Sequence, residues 1–166
     1  MDEMFDVVTR ERQPLGFAAK RGADLPKGQY HIVVMAVIIN TDGKILLTRR
    51  SMQKDAAAGK WECLAGSVLA GETSRDAIVR EIKEEIGVLM EHSQEKPIGT
   101  FIEDDAIFDV WKFNTSISLD ELVFQEDEVD NALYASSNKI QKIINEGKAT
   151  KSLAIILEMA QNGVFN

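Results

Sequence analysis

Gly66-Ser67-Val68-Leu69-Ala70-Gly71-Glu72-Thr73-Ser74-Arg75-Asp76-Ala77-Ile78-Val79-Arg80-Glu81-Ile82-Lys83-Glu84-Glu85-Ile86-Gly87-Val88 passes from a glycine-containing loop into a helix that is crowded with carboxylates. The helix is predicted to start at Thr73 or Ser74. Thr73 and Asp76 have capping-box spacing, with Asp in place of the more usual Glu. Gly87 suits a left-handed C-terminal cap. At about 100° per residue, Ile78, Val79, Ile82 and Ile86 share one apolar stripe, and Glu81, Glu84 and Glu85 fill the neighbouring sector. Like charges three and four residues apart on a helix cost stability unless cations offset them. The three acids also lie too deep in the helix to gain much from its N-terminal dipole.

Upstream, Phe5 to Val8 and Leu15 to Ala19 read as a hairpin, 5–19, turning around Arg10 to Pro14, with Arg21 to Gln29 as a connector. Tyr30 to Ile39 is a β-branched run suited to a buried strand. The Asp42-Gly43 turn returns the chain as Lys44 to Arg49. Ser51 to Lys60 fits a loop or a short helix, and Trp61 to Ala65 an extended approach to Gly66. Downstream, strands are predicted over Pro97–Phe101 and Ile107–Phe113, separated by Glu103-Asp104-Asp105. Glu121–Phe124 is a further candidate strand, followed by Asp127–Ala135. Helices are expected near Asn138–Asn145 and Ser152–Gln161. Strands flanked by helices in this order give an α/β sandwich with a mixed β-sheet.

The chain has 166 residues, 45% of them hydrophobic, enough for one compact unit with a substantial core. A net charge of -8 argues against a stable nucleic-acid partner or an anionic membrane surface. A phosphorylated small molecule stays compatible with that charge, because bound cations reverse the local field. Cys63 is the sole cysteine, which fits a reducing compartment. The acidic N-terminal residues lack a secretory pattern, and the apolar run Ile32–Ile39 is too short to span a bilayer. The expected location is cytoplasmic.

The spacing from Gly66 to Val88 resembles the box of the Nudix hydrolase family at every defining position: Gly66, Glu72, Arg80-Glu81, Ile82, Glu84-Glu85, Gly87 and Val88. The resemblance implies one Nudix domain over 1–166, an α/β/α sandwich whose box (66–88) forms a loop-helix-loop. It further implies a Mg²⁺ cofactor, with Mn²⁺ as substitute, held by Glu81, Glu84, Glu85 and a backbone carbonyl at Gly66. Oxygen donors suit such hard ions. Glu72 and Arg80 are then supports of the box. The implied reaction is attack of water on phosphorus in a soluble diphosphate metabolite, breaking a phosphoanhydride bond. Glu84 and Glu85 count as catalytic in that reading, together with a general base. Glu128, in Gln125-Glu126-Asp127-Glu128-Val129, matches a recurrent late Gln-x-x-Glu-Val pattern of the family and is the first candidate base. Glu103, Asp104 and Asp105 are the alternatives.

Arg49 and Arg50, at the end of a predicted strand, are candidate phosphate contacts or solvent-facing edge residues. Trp61 and Trp111 suit either base stacking or burial. The N-terminal layout, with Asp6-Val7-Val8, Arg12 to Gly16 and Tyr30 to Val34, also resembles the isopentenyl-diphosphate-isomerase-like branch. Those isomerases carry a catalytic cysteine where this chain has Ala65, and a metal-binding histidine where it has Ser67. Cys63 reads as a buried apolar residue, and His31 and His92 as structural or surface residues. A catalytically weak nucleotide-binding module and, less favoured, an isomerase stand as alternatives to the hydrolase. An exposed sheet edge and the hairpin leave room for a homodimer.

Overall fold

The computed structural model describes residues 3–90 and 96–166; His92 lies outside them. The chain opens with an antiparallel hairpin of β1 (Met4–Val8) and β2 (Pro14–Lys20). At its turn Arg12 adopts a left-handed backbone with φ of 64°. Its guanidinium forms an ion pair with Asp109, a residue only 1% exposed.

β3 (His31–Asn40) is the central strand, and its apolar run is buried on both faces, as a strand covered on two sides requires. It pairs in parallel with β8 (Ala106–Thr115) from His31↔Ala106 to Asn40↔Thr115. Antiparallel neighbours complete a mixed sheet: β4 (Ile45–Arg50), β5 (Trp61–Glu62), β6 (Ala65–Ser67), β7 (Gly99–Glu103) and β9 (Val129–Ala135). Helix α1 (Ser74–Ile86) covers one face, where Val34, Ala36 and Ile38 meet Ile78, Ile82 and Ile86. On the other face α2 (Ser137–Asn145) and α3 (Lys151–Gln161) pack Ile140, Leu153 and Ile156 over Met35, Val37 and Val110. Each such fully buried aliphatic side chain contributes about 1.5–3 kcal/mol. This is the α/β sandwich with a mixed sheet that the sequence pattern predicts, in the α/β/α layering that the family resemblance implies. Among the described residues no helix is long and apolar enough to cross a membrane.

Two local expectations are corrected, and the choice between loop and short helix at Ser51 to Lys60 falls to the loop. Glu121–Phe124 is not a strand. Ser118 and Glu121 instead close a 3₁₀ turn over Leu119–Glu121, with the Ser118 N–H donating to Glu121 Oε2 at 2.8 Å. The next N–H groups, of Val123 and Gln125, go to the end of α1, so no sheet ladder can use them. Glu103 belongs to β7 rather than to the turn, because it pairs with Ala106. The segment from Ser51 to Lys60 is a series of turns without a helix.

Candidate active site

Helix α1 is built as its caps prescribe. Thr73 accepts a hydrogen bond from the Asp76 N–H at 3.1 Å, and Gly87 sits left-handed at φ 72°. With three isoleucines driven into the core, the helix can present its acids in only one way. Glu81 and Glu85 turn inward and are buried, whereas the Glu84 side chain is 50% exposed. The three carboxylates therefore do not form one uniform stripe.

The Glu81 carboxylate lies directly over the backbone of Gly66, in the space a Cβ would need. The backbone of Gly66 is not left-handed, so this glycine serves close approach rather than torsional freedom. Arg80 braces the same corner. Its Nε and Nη2 donate to the two oxygens of Glu72 at 2.9 Å, Nη2 also to the Ser67 carbonyl at 3.0 Å, and Nη1 to Glu81 at 2.8 Å and Glu84 at 3.0 Å. Glu72 in turn accepts from the Leu69 N–H at 3.0 Å. The Glu72 hydrogen bonds, followed by the field of Glu81, hold the Arg80 guanidinium far above its ordinary pKa. One cation thus fixes loop, helix and carboxylate together.

The stretch after the 3₁₀ turn delivers a further acid. Val123 N–H donates to the Ile86 carbonyl and Gln125 N–H to the Glu85 carbonyl, both at 3.0 Å. These bonds satisfy carbonyls that a helix end leaves open. Gly87 permits the approach, since a Cβ there would stand 2.8 Å from Val123 Cβ. A tight turn, with Glu128 N–H on the Gln125 carbonyl, then places Glu128 beside the buried end of α1. Lys54 pairs with Glu128.

Burial raises Glu85 well above the usual carboxylate range, and the like charges of Glu81, Glu62 and Glu128 add to the shift. Lys54 opposes it, although it is already paired. Burial also raises Glu81 against the opposing Arg80, and Glu62 against Arg50, whose Nη1 donates to it at 2.9 Å. Among the described residues no three His, Cys, Asp or Glu side chains stand together as a ready-made metal cage. The donor set still fits a hard divalent ion: buried carboxylates of one sign that only a proton or a cation can compensate.

The two strand-end arginines part company. Arg50 faces a cavity of about 490 Å³ beside Gly66, Glu62 and Arg21. Arg49 is turned away onto Asp130 at 2.6 Å and over the Trp61 ring, so the structure does not bring it to the cavity. Glu103 and Asp104 line the cavity wall opposite Gly66, while the Asp105 carbonyl accepts from the His31 N–H at 3.0 Å. Trp111 is buried and donates to Ser74 Oγ at 3.1 Å, which leaves no face for a base. Cys63 is fully buried, and burial pushes its thiol up to about 12. His31 stacks on Phe5.

Two cavity residues escaped the sequence reading. Glu62 was part of the approach to the box, but nothing in its spacing marks it as an electrostatic neighbour of Glu85. Arg21 falls in the stretch that reads as a connector. The hairpin folds it back so that its charge registers at Glu128 and Glu81, and no local signal announces that.

The match with known proteins coincides with this architecture. The NUDIX domain family model matches residues 29–149. A Listeria monocytogenes protein described as an uncharacterized Nudix hydrolase is 28% identical over 147 residues, covering 88% of this chain and 87% of that one. An isopentenyl-diphosphate Delta-isomerase of Salmonella heidelberg is 32% identical over 88 residues, 52% of this chain and 49% of the isomerase. The crystal structure of DR0079 from Deinococcus radiodurans superposes with a TM-score of 0.80 at 21% identity, covering 94% of this chain and 98% of that one; it shares the fold. With the family's box folded into a braced carboxylate corner on the family's sandwich, the chain belongs to the NUDIX family and is an enzyme of the Nudix pyrophosphohydrolase type.

Proposed function

We propose that the protein hydrolyses a soluble metabolite in which a nucleoside diphosphate, or a related diphosphate, is linked to a second group. The observation that carries this reading is the buried Glu85, set among Glu81, Glu62 and Glu128 and without an ion pair of its own among the described residues. A bound Mg²⁺, or Mn²⁺ in its place, supplies charge neutralisation at the diphosphate and acidifies water. Glu81, Glu84 and Glu85 would hold it, with the Gly66 carbonyl as a further donor. Arg80 and Glu72 fix the angle at which Glu81 is presented, a duty on which metal geometry depends. Arg50 and Arg21 face the phosphate oxygens from the cavity side. Glu128 takes the proton of the attacking water as its oxygen bonds to phosphorus and the phosphoanhydride bond breaks. Two phosphorylated products leave, or orthophosphate when the target is terminal.

The layout of the N-terminal hairpin and His31 resembles that of the isomerases, and we propose that the chain stands beside that branch without its chemistry. Ala65 and Ser67 occupy the positions of the isomerases' cysteine and histidine. Cys63 lies sealed on the α2/α3 face of the sheet and offers no substitute.

The test is an Mg²⁺/Mn²⁺ screen over nucleotide sugars, dinucleoside polyphosphates, coenzyme derivatives, nucleoside triphosphates and prenyl diphosphates. Glu85→Gln should lower turnover by more than about 100-fold, the loss of several kcal/mol of transition-state stabilisation. Wild-type turnover in that variant sinks the metal assignment. Tight binding with no turnover identifies a binding module, and isomer formation without phosphate release identifies an isomerase.

A further inference from the structure

The cavity beside Gly66 extends away from the acidic corner along the sheet. Its floor is apolar and includes Met35 of β3 and Phe108 of β8. The Phe108 ring is backed by Phe101, with centroids 4.6 Å apart and planes 6° from parallel. A volume of about 490 Å³ suits a small organic group. On the far wall stands Glu103, whose Oε2 is buried and has no hydrogen-bond partner among the described residues. The nearby cation, Lys151, lies 3.9 Å from Asp104 instead. A shielded acceptor without a donor costs stability, and a native fold retains one only where something else compensates.

Strand register locates that acceptor. Val33 pairs with Ser67 on one side and with Phe108 on the other, and Phe108 pairs with Phe101, two residues before Glu103. Three inter-strand spacings, roughly 14 Å, separate the strand of Gly66 from that of Glu103. Glu103 thus stands at the far side of the cavity from Gly66, and a diphosphate held at Arg50 does not share its immediate surroundings. Glu103 stands where the other end of an extended ligand arrives, above an aromatic floor that favours a flat ring.

We propose that this cavity receives the group carried by the diphosphate, and that Glu103 selects it by accepting a hydrogen bond from a donor on that group. The donor is an N–H of a nucleobase edge or a sugar hydroxyl. The inference rests on the hydrolase reading only for the placement of the diphosphate end.

The experiment measures binding of cytidine, uridine and 2′-deoxycytidine 5′-diphosphates by calorimetry in the presence of a chelator, then their turnover with Mg²⁺. Cytosine presents an amino donor beside an acceptor N3, and uracil a carbonyl beside an N3–H donor; the deoxy compound removes a hydroxyl donor. The wild type should favour one member of one pair, the ring whose N–H meets Glu103 or the ribose over the deoxyribose, by about tenfold or more, the worth of a hydrogen bond to a charged group. The pair that discriminates identifies base or sugar as the source. Glu103→Ala should erase that preference and raise KM for the favoured compound while kcat stays within about threefold. Glu103→Gln preserves size and guards against misfolding; its neutral amide, which donates as well as accepts, should reduce the preference while binding persists. The proposal is overturned if none of the three binds, if neither pair discriminates, or if Glu103→Ala weakens all three alike. Glu103-dependent selectivity in binding without phosphate release overturns the hydrolase reading alone. Turnover that is sensitive to Glu85→Gln but indifferent to Glu103→Ala overturns this inference alone.

Discussion

The Glu81 carboxylate occupies the volume that a side chain on Gly66 would claim. The neighbour that must yield is the far end of a flexible side chain, and the Gly66 backbone is not left-handed. Gly66→Ala should therefore fold and keep its melting temperature within a few degrees. Displacing Glu81 should still lower turnover and Mg²⁺ affinity by about 10–100-fold, the usual effect of disturbing the support of a metal ligand. Wild-type turnover in this variant would show that Glu81 need not sit where it does.

Arg80→Lys tests the brace. A lysine can meet one of the partners, but not both oxygens of Glu72 together with Glu81 and the Ser67 carbonyl. We expect a loss of about 10–100-fold in metal affinity, with turnover falling in parallel. An unchanged metal titration removes Arg80 from the positioning machinery.

His31 makes a pH prediction outside the metal site. Burial lowers its pKa below 6.5, Asp105 opposes the shift and Arg21 adds to it. Its Nδ1 is buried without a partner among the described residues. The unfolded chain then holds the proton more tightly than the folded one. The stability tied to neutral His31 is present above about pH 6.5 and is lost as pH falls through the lowered value. His31→Phe, which preserves stacking on Phe5, should flatten this acid limb of the melting curve. An imidazole that titrates by NMR at or above 6.5 contradicts the account.

Cys63 should be inert in the native protein. With the thiol at about 12, only about one molecule in 10,000 carries a thiolate at pH 8, and the side chain has no exposed surface. Iodoacetamide should label it rapidly in denaturant and negligibly without. Fast native labelling would mean that this face of the sheet opens.

Much of this molecule can be read from local pattern. Thr73 and Gly87 bound α1 because capping is a matter of a few neighbouring atoms. The run through β3 declares a strand buried on two faces. Period and composition fail where long-range pairing decides. Leu122 to Phe124 has strand-like residues, yet the Leu122 N–H closes the 3₁₀ turn on Leu119 and those of Val123 and Gln125 are claimed by the end of α1. A helical wheel groups Glu84 with Glu81 and Glu85, but the pull of Ile78, Ile82 and Ile86 into the core settles which acids go inward. Adjacent Arg49 and Arg50 look equivalent as letters, and only the pleat and the partners Asp130 and Glu62 separate them. Arg21 and Glu62 reach the site by tertiary folding alone.

The ion pair between Arg12 and Asp109 has a consequence for where this protein can be cut. The segment that matches the family, 29–149, contains Asp109 but neither Arg12 nor α3. A fragment trimmed to those limits would strand a carboxylate that is 1% exposed, a penalty that reaches about 3–5 kcal/mol for fully buried pairs and less here because Arg12 is 36% exposed. It would also uncover the sheet face that Leu153, Ile156 and Leu157 seal. The borders of the recognisable motif and of the cooperative folding unit are different borders, and a minimal version for fusion or display has to respect the wider pair.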